Sequence, residues 1–334
     1  MPGLRDILRG MKRDDPPVGH AEKVRSVALS RSAAAQSSLA ASWARSLKTY
    51  GLEPDAPGNS DARLEQTELH QRRDGLGRIL ATSAPVMDRL YASLGLAGCS
   101  VFLSDTEGVV IDHRMADSDG ALFRAAGLCE GGVWSEAVQG TNGIGTCIAE
   151  QRAVTIYRDQ HFHDRNTVMS CMGAPVFDEH GAIAAVLDVS SCRDDLTQPF
   201  ATLIAQTVTD AARQIEADHF QSAFSSQRIL RGSGDGQKGA VLLAVDGDDL
   251  VVGATRAARA IYGLGHNNRI DPRPAGDLFG DSESRGVGLE SAERRELRRA
   301  IARANGNMAA AARALGISRA TLYRRMDQLG LSRG

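Results

Sequence analysis

No stretch of the 334-residue chain approaches the roughly 18 apolar residues that a membrane-spanning helix needs. Its opening residues, MPGLRDILRGMKRDD, also lack the continuous apolar core of a secretory signal. These absences make a cytoplasmic protein the expectation. Cysteine is sparse as well. Cys99, Cys129, Cys147, Cys171 and Cys192 are an odd number with no CxxC spacing, which argues against a disulfide framework. Cys147, Cys171, His161 and His163 match no zinc-ligand pattern, so neither metal nor cofactor is expected, and the cysteines read as small buried hydrophobes. No Gly-Lys dipeptide occurs; Lys238 comes nearest, but Gln237 precedes it. The phosphate-cradling loop G-x-x-x-x-G-K-[ST] is therefore missing, and no ATP hydrolysis is expected.

What is present is ordinary in bulk: 42% apolar and 24% charged residues, typical of a globular chain. The length suggests two or three domains. The net charge of −2 hides an asymmetry. From Ser291 to Gly334 there are ten arginines against Glu293, Glu296 and Asp327, a net +7, which leaves −9 on the remainder. A small basic module on an acidic body is the electrostatic footprint of a nucleic-acid reader.

Residues 1–70 read as a polar, helical N-terminal region, broken by GLEPDAPGNS. A second helix is expected over about 76–94. The period then changes. CSVFLS (99–104), GVVIDHR (108–114), RAVTIY (152–157), SCMGAPVF (170–177) and AIAAVLDVS (182–190) read as short strands. DTEG (105–108) and DEHG (178–181) mark two hairpin turns, and GGVWSEAVQGTNGIGTC (131–147) is a glycine-rich excursion between the hairpins. A long helix over 194–220 is expected to bury Leu196, Phe200, Leu203, Thr207, Val208 and Ala211. The whole is an α+β domain over 71–222, an antiparallel sheet flanked by helices.

GTNGIGTCIAEQRAVTIYRDQHF and MSCMGAPVFDEHGAIAAVLDVS resemble the GAF sensor domain of the acetoin- and glycerol-metabolism activators, the AcoR/DhaR type. SWARSLKTYGLEPD (42–55) resembles the opening of that family. Residues 239–264, GAVLLAVDGDDLVVGATRAARAIYGL, read as strand, turn, strand, helix and resemble the start of a PAS domain. The segment 223–285 is therefore expected to hold a flexible linker, GSGDGQKG, and a truncated PAS-like remnant. The resemblance implies a small-molecule effector of the acetoin, glycerol or alcohol type, held between sheet and excursion. Candidate contacts are Trp134, Thr141, Asn142, Thr146, His161 and Cys171. Each has a plainer alternative, as core, turn or strand packing.

The last segment, 286–334, reads as three helices. Ser291 caps the first, whose Leu297, Ile301 and Ala304 share a face. Asn307 caps the second, Met308 to Leu315; Gly316 ends it, and Ser318 caps the third. Leu322, Met326 and Leu329 form the third helix's apolar stripe, with Arg319, Tyr323 and Arg324 off it. Two short helices joined by a glycine turn, the second with a basic outer face, define a helix-turn-helix. The stretch resembles the C-terminal module of the Fis protein and of sigma-54 activators. That resemblance implies contact to double-stranded DNA by Asn307, Ser318, Arg319, Thr321, Tyr323, Arg324 and Arg325, and a homodimer on a palindromic operator. It leaves recruitment of RNA polymerase open. Two alternatives stand beside this non-enzymatic regulator. One is a ligand-independent modulator that pairs with a full-length sigma-54 activator; the other is a thiol redox enzyme using Cys147, Cys171 and His161. The missing phosphate loop predicts no turnover in an ATPase assay; robust DNA-stimulated hydrolysis would contradict it.

Overall fold

The computed structural model describes residues 19–57, 63–234, 239–247, 250–265, 270, 273–278, 288–304 and 306–331. They fall into two compact units, one up to Arg273 and one from Pro274 onward.

The first unit is built on five strands: β1 (Ser100–Ser104), β2 (Val110–Arg114), β3 (Val154–Tyr157), β4 (Ser170–Phe177) and β5 (Ile183–Ser191). All neighbours pair antiparallel in the order β2-β1-β5-β4-β3. Both expected hairpins, β1–β2 and β4–β5, are formed. Strand alternation sends side chains to two faces. Val101, Leu103, Met172, Ala174, Val176, Ala185, Leu187 and Val189 point into the main core. Phe102 and Cys171 point to the other face, with Trp134, Phe123 and Ile144.

Two long helices cover the main-core face. One runs Gly77–Leu94 and buries Ile79, Ser83, Val86, Met87 and Leu90, a stripe at helical spacing. The other runs Gln198–Ala223; Thr197 caps it by accepting from Phe200 N. Its buried face is Ala201, Ile204, Val208, Ala212 and Ile215. This corrects the expected stripe, since Phe200 is 39% and Leu203 65% exposed. Both faces of that helix offer apolar residues at i, i+3 and i+4, and burial goes to the face with smaller side chains, which lie close on β4.

On the opposite face lies the excursion, with short helices Glu136–Gln139 and Gly143–Glu150. The N-terminal helices pack onto it. Among them, Ser38–Lys48 carries Ser42, Trp43, Arg45 and Ser46. Trp43 is fully buried with Val24, Val27, Ala28, Ala40 and Phe162, and its Nε1 donates to Gln160 O at 2.8 Å. Residues 20–48, which precede the expected span 71–222, thus supply a further wall against the excursion.

Beyond the long helix, Arg228–Arg231, Leu242–Val245 and Leu250–Ala254 form an antiparallel set, and Arg256–Tyr262 follows as a helix capped by Thr255. The strand–turn–strand–helix reading of 239–264 is realised here. Residues 235–238 of the expected linker lie outside the described residues.

The second unit holds three helices, α1′ (Gly288–Arg303), α2′ (Met308–Ala314) and α3′ (Arg319–Gln328). Its core is Leu297, Ala300, Ala311, Ala312, Leu322, Met326, Leu329 and Leu331. The small Ala311 and Ala312 let α2′ sit close to both neighbours. Ser291 is not a cap: the first helix begins three residues earlier, at Gly288.

Arg45 is the cation for Glu136, whose carboxylate is almost wholly buried. Arg45→Ala removes that cation and leaves the carboxylate buried among hydroxyls. Urea unfolding should show a loss of about 2–3 kcal/mol, with the sensor unfolding first. A loss below about 0.5 kcal/mol would mean the pair contributes no more than an exposed ion pair.

Candidate functional site

Two sites emerge, one in each unit. The first is a buried polar layer between the sheet and the excursion. It contains two groups of side chains.

The first group surrounds Glu136. Ser42 Oγ donates to Glu136 Oε1 at 2.6 Å, Thr146 Oγ1 donates to the same oxygen at 2.8 Å, and Arg45 Nη2 donates to it at 2.8 Å. Thr141 Oγ1 lies 2.7 Å from Ser42 Oγ. A helix more than ninety residues upstream and a threonine ten residues downstream therefore converge on one carboxylate. Asn142 is the N-cap of Gly143–Glu150: its Oδ1 accepts from Ile144 N and Gly145 N at 2.9 and 2.8 Å, and its Nδ2 donates to Gly140 O.

The second group lies on the sheet. His161 Nε2 is 3.3 Å from Cys171 Sγ, and its Nδ1 is 2.9 Å from Arg158 O. Ser190 Oγ lies 3.1 Å from Cys171 Sγ and donates to Asp188 Oδ2 at 2.6 Å. The register explains this: Cys171 faces Ser190 and Gly173 faces Asp188 across β4–β5. Ser100 Oγ and Asp188 Oδ1 are buried without a hydrogen-bond partner among the described residues. Such orphaned groups cost stability and tend to persist where a site has a use for them.

All six expected effector contacts lie in or beside this layer. Trp134 is also core: its ring is 1% exposed and its Nε1 donates to Gly127 O at 3.0 Å. Asn142 spends its polar atoms on the turn. Thr146 borders a cleft of about 200 Å³ that Ser38, Leu39, Val154 and Gln160 also line. Sequence reasoning missed Ser42, Glu136, Asp188 and Ser190. SWARS and LDVS, both within quoted motifs, were the available signals.

Electrostatics bear on the redox alternative. Burial pushes the Cys171 thiol well up, and burial pulls the His161 imidazole down to about 4. Both partners favour their neutral forms, so a thiolate–imidazolium pair is disfavoured at this contact. Cys147 is pushed up as well, by burial and then by Asp188. Among the described residues, no group of three or more His, Cys, Asp or Glu is arranged to hold a metal, and no helix is long and apolar enough to cross a membrane.

The second site is the outer face of α3′. Gly316 takes φ +67°, the left-handed conformation that turns the chain between α2′ and α3′. Ser318 Oγ accepts from Thr321 N at 3.1 Å and lies 2.8 Å from Thr321 Oγ1. Asn307 Oδ1 accepts from Ala309 N and Ala310 N, both at 3.1 Å. Ser318, Thr321 and Asn307 are thus helix-start residues before they are anything else. Arg319 lies over the Tyr323 ring, its Cζ 5.6 Å from the ring centre. Tyr323 departs from its expected place off the stripe, being half-buried against the core. Arg324 is exposed. Arg325 Nε makes an ion pair with Glu293 Oε1 at 3.1 Å, which ties α3′ to α1′.

Comparison with known proteins finds a family match in each unit. Residues 78–217 match the GAF domain family, and residues 288–329 match the bacterial regulatory protein Fis family. The chain carries a GAF domain and a Fis-family module. It is 32% identical over 191 residues to the acetoin catabolism regulatory protein of Cupriavidus necator, covering 57% of this chain and 28% of that protein. It is 30% identical over 153 residues to the acetoin dehydrogenase operon transcriptional activator AcoR of Bacillus subtilis, covering 45% and 25%. The propane 2-monooxygenase operon transcriptional activator MimR of Mycolicibacterium smegmatis is 28% identical over 185 residues, covering 51% and 31%. The chain therefore spans about a quarter to a third of the length of these relatives. The E. coli DhaR(N)–DhaL complex shares the fold with a TM-score of 0.50 at 14% identity, over 72% of this chain and 81% of that one.

Burial raises the Asp188 carboxyl from its ordinary 3.8 to about 6. The folded state then keeps a proton that the unfolded chain has lost, so this contribution to stability is full below the ordinary value and is lost as pH rises through the folded one. Asp188→Asn cannot ionise. Relative to wild type it should be about 2 kcal/mol more favourable at about pH 7 than at about pH 4, by urea unfolding at both. A difference that stays constant with pH would contradict the raised carboxyl.

Proposed function

We propose that this chain is a sequence-specific, non-enzymatic transcription regulator. Its GAF domain senses a small hydroxyl- or carbonyl-bearing effector, and its Fis-family module binds double-stranded DNA. The observation that carries the reading is the second unit itself: a glycine turn, two capped short helices, and exposed arginines on the second of them.

The chemistry supports DNA contact. Helix α3′ presents Arg319 in its first turn, where a recognition helix meets base edges in the major groove. Tyr323 holds that guanidinium by its ring and hydroxyl, which limits the freedom Arg319 loses on docking. Arg324 supplies phosphate contact, and Arg325 is a positioning residue through Glu293. Ser318, Thr321 and Asn307 keep their caps and offer backbone or hydroxyl donors to phosphates nearby. A homodimer on a palindromic operator, in the cytoplasm, suits such a module; the exposed Phe200 and Leu203 on the long helix offer apolar surface for pairing. Regulation would run by occlusion of the promoter or recruitment of RNA polymerase.

The effector reading rests on the polar layer. Hydroxyls of Ser42, Thr141 and Thr146, the Asp188 carboxyl and His161 are the polar groups that an acetoin-, glycerol- or alcohol-like molecule would meet there, by displacing internal hydrogen bonds.

Gel-shift titration of DNA from upstream of the chain's own gene tests the reader. Arg319→Ala should weaken specific binding by about 1–3 kcal/mol and relax preference at one position per half-site. Arg324→Ala should weaken all sequences alike and reduce the salt slope by about one. If neither substitution changes binding, α3′ is not the reading helix.

A further inference from the structure

A second cavity lies away from the sensor layer, between the sheet's β4, the long helix and the helix Arg256–Tyr262. Its volume is about 480 Å³, within the range of small-molecule sites. We propose that it is a separate ligand site, for a small monocarboxylate with an apolar body.

The walls divide by chemistry. Ala174, Pro175, Phe177, Ala257 and Ala260 form an apolar side. Arg152, Arg213 and Arg256 stand at its polar side with Glu216, and Arg152 is already paired with Glu150. The Arg256 guanidinium lies over the Phe177 ring, its Cζ 4.0 Å from the ring centre, so its planar face is used and its edge remains for a carboxylate. Arg213 is anchored by Asp210 at 3.2 Å, which fixes its position on the long helix.

Glu216 is the second observation. It is 6% exposed, lines the cavity, and its Oε1 has no hydrogen-bond partner among the described residues. An ionised carboxylate so placed would oppose an anionic ligand. Burial instead raises Glu216 to about 7, against the pull of Arg256 and Arg213 and with the help of Asp178. Near neutrality the carboxyl therefore carries a proton for much of the time and can donate it in a hydrogen bond to a bound carboxylate. Arg213 and Arg256, one protonated acid and an apolar wall define the ligand class. A cation would meet the guanidiniums of Arg152, Arg213 and Arg256, and a sugar would leave the apolar wall unpaired. Occupancy would tie β4 to the helix Arg256–Tyr262 in the segment following the sensor.

The site is independent of the effector layer, so its failure leaves the regulator reading intact. Calorimetry on the full chain, with sodium propionate and sodium benzoate as probes and acetoin as comparator, tests it. One carboxylate per protomer should bind, with affinity lowered at least about tenfold in Arg213→Gln/Arg256→Gln and acetoin binding unchanged. Ala260→Phe, at an exposed cavity position, keeps both arginines and should exclude benzoate; it decides the matter if the double variant does not fold. No carboxylate binding up to about 10 mM, or equal binding in wild type and Ala260→Phe, would overturn the site. Equal displacement by chloride at matched ionic strength would do so too, since it would reduce the effect to charge alone.

Discussion

One buried carboxylate fixes the sensor. Glu136 accepts from Ser42, Thr146 and Arg45, and so clamps an N-terminal helix, the turn at 136–139 and the helix Gly143–Glu150 to one point. Burying a charge is expensive, and only a full set of donors with a cation offsets it. The clamp brings Gly143 down onto the sheet. A Cβ on Gly173 would stand 2.4 Å from Gly143 O, and one on Gly143 would stand 2.5 Å from Asp188 Oδ1. Glycine is required at both positions by contact rather than by turn geometry. That close approach buries Asp188, Cys171 and His161, and it creates their shifted acidities.

The sensor layer consequently holds groups of opposing pH response. Asp188 destabilises the fold as pH rises towards about 6, while His161, lowered to about 4, destabilises it as pH falls from its ordinary value. Both carry the energetic cost of a polar interior. A ligand that donates to Asp188 and fills the layer would repay part of this cost, which is the physical basis for expecting effector binding to stiffen the domain.

Much of this was legible in the residues, for reasons of period. The five strands and both hairpins follow from short β-branched runs between turn residues. The caps at Asn307 and Ser318 and the turn at Gly316 follow from side chains that satisfy helix ends locally. What failed was non-local. The long helix has two usable apolar faces, and only the neighbouring sheet selects Ala201, Ile204 and Val208 over Phe200 and Leu203. Ser42, Glu136 and Asp188 are unremarkable alone; folding brings Ser42 94 residues forward onto Glu136. The ion pair of Arg325 with Glu293, a full helix away, is likewise non-local and has no signal in the sequence.

Sensor and reader are one device only if ligand and DNA binding are coupled. The direct measurement is the DNA affinity of the full chain, by fluorescence anisotropy, with and without saturating acetoin, alongside acetoin affinity with and without DNA. Coupling predicts that both affinities change by the same factor, about 5–150-fold. Acetoin binding that leaves DNA affinity unchanged would contradict the account.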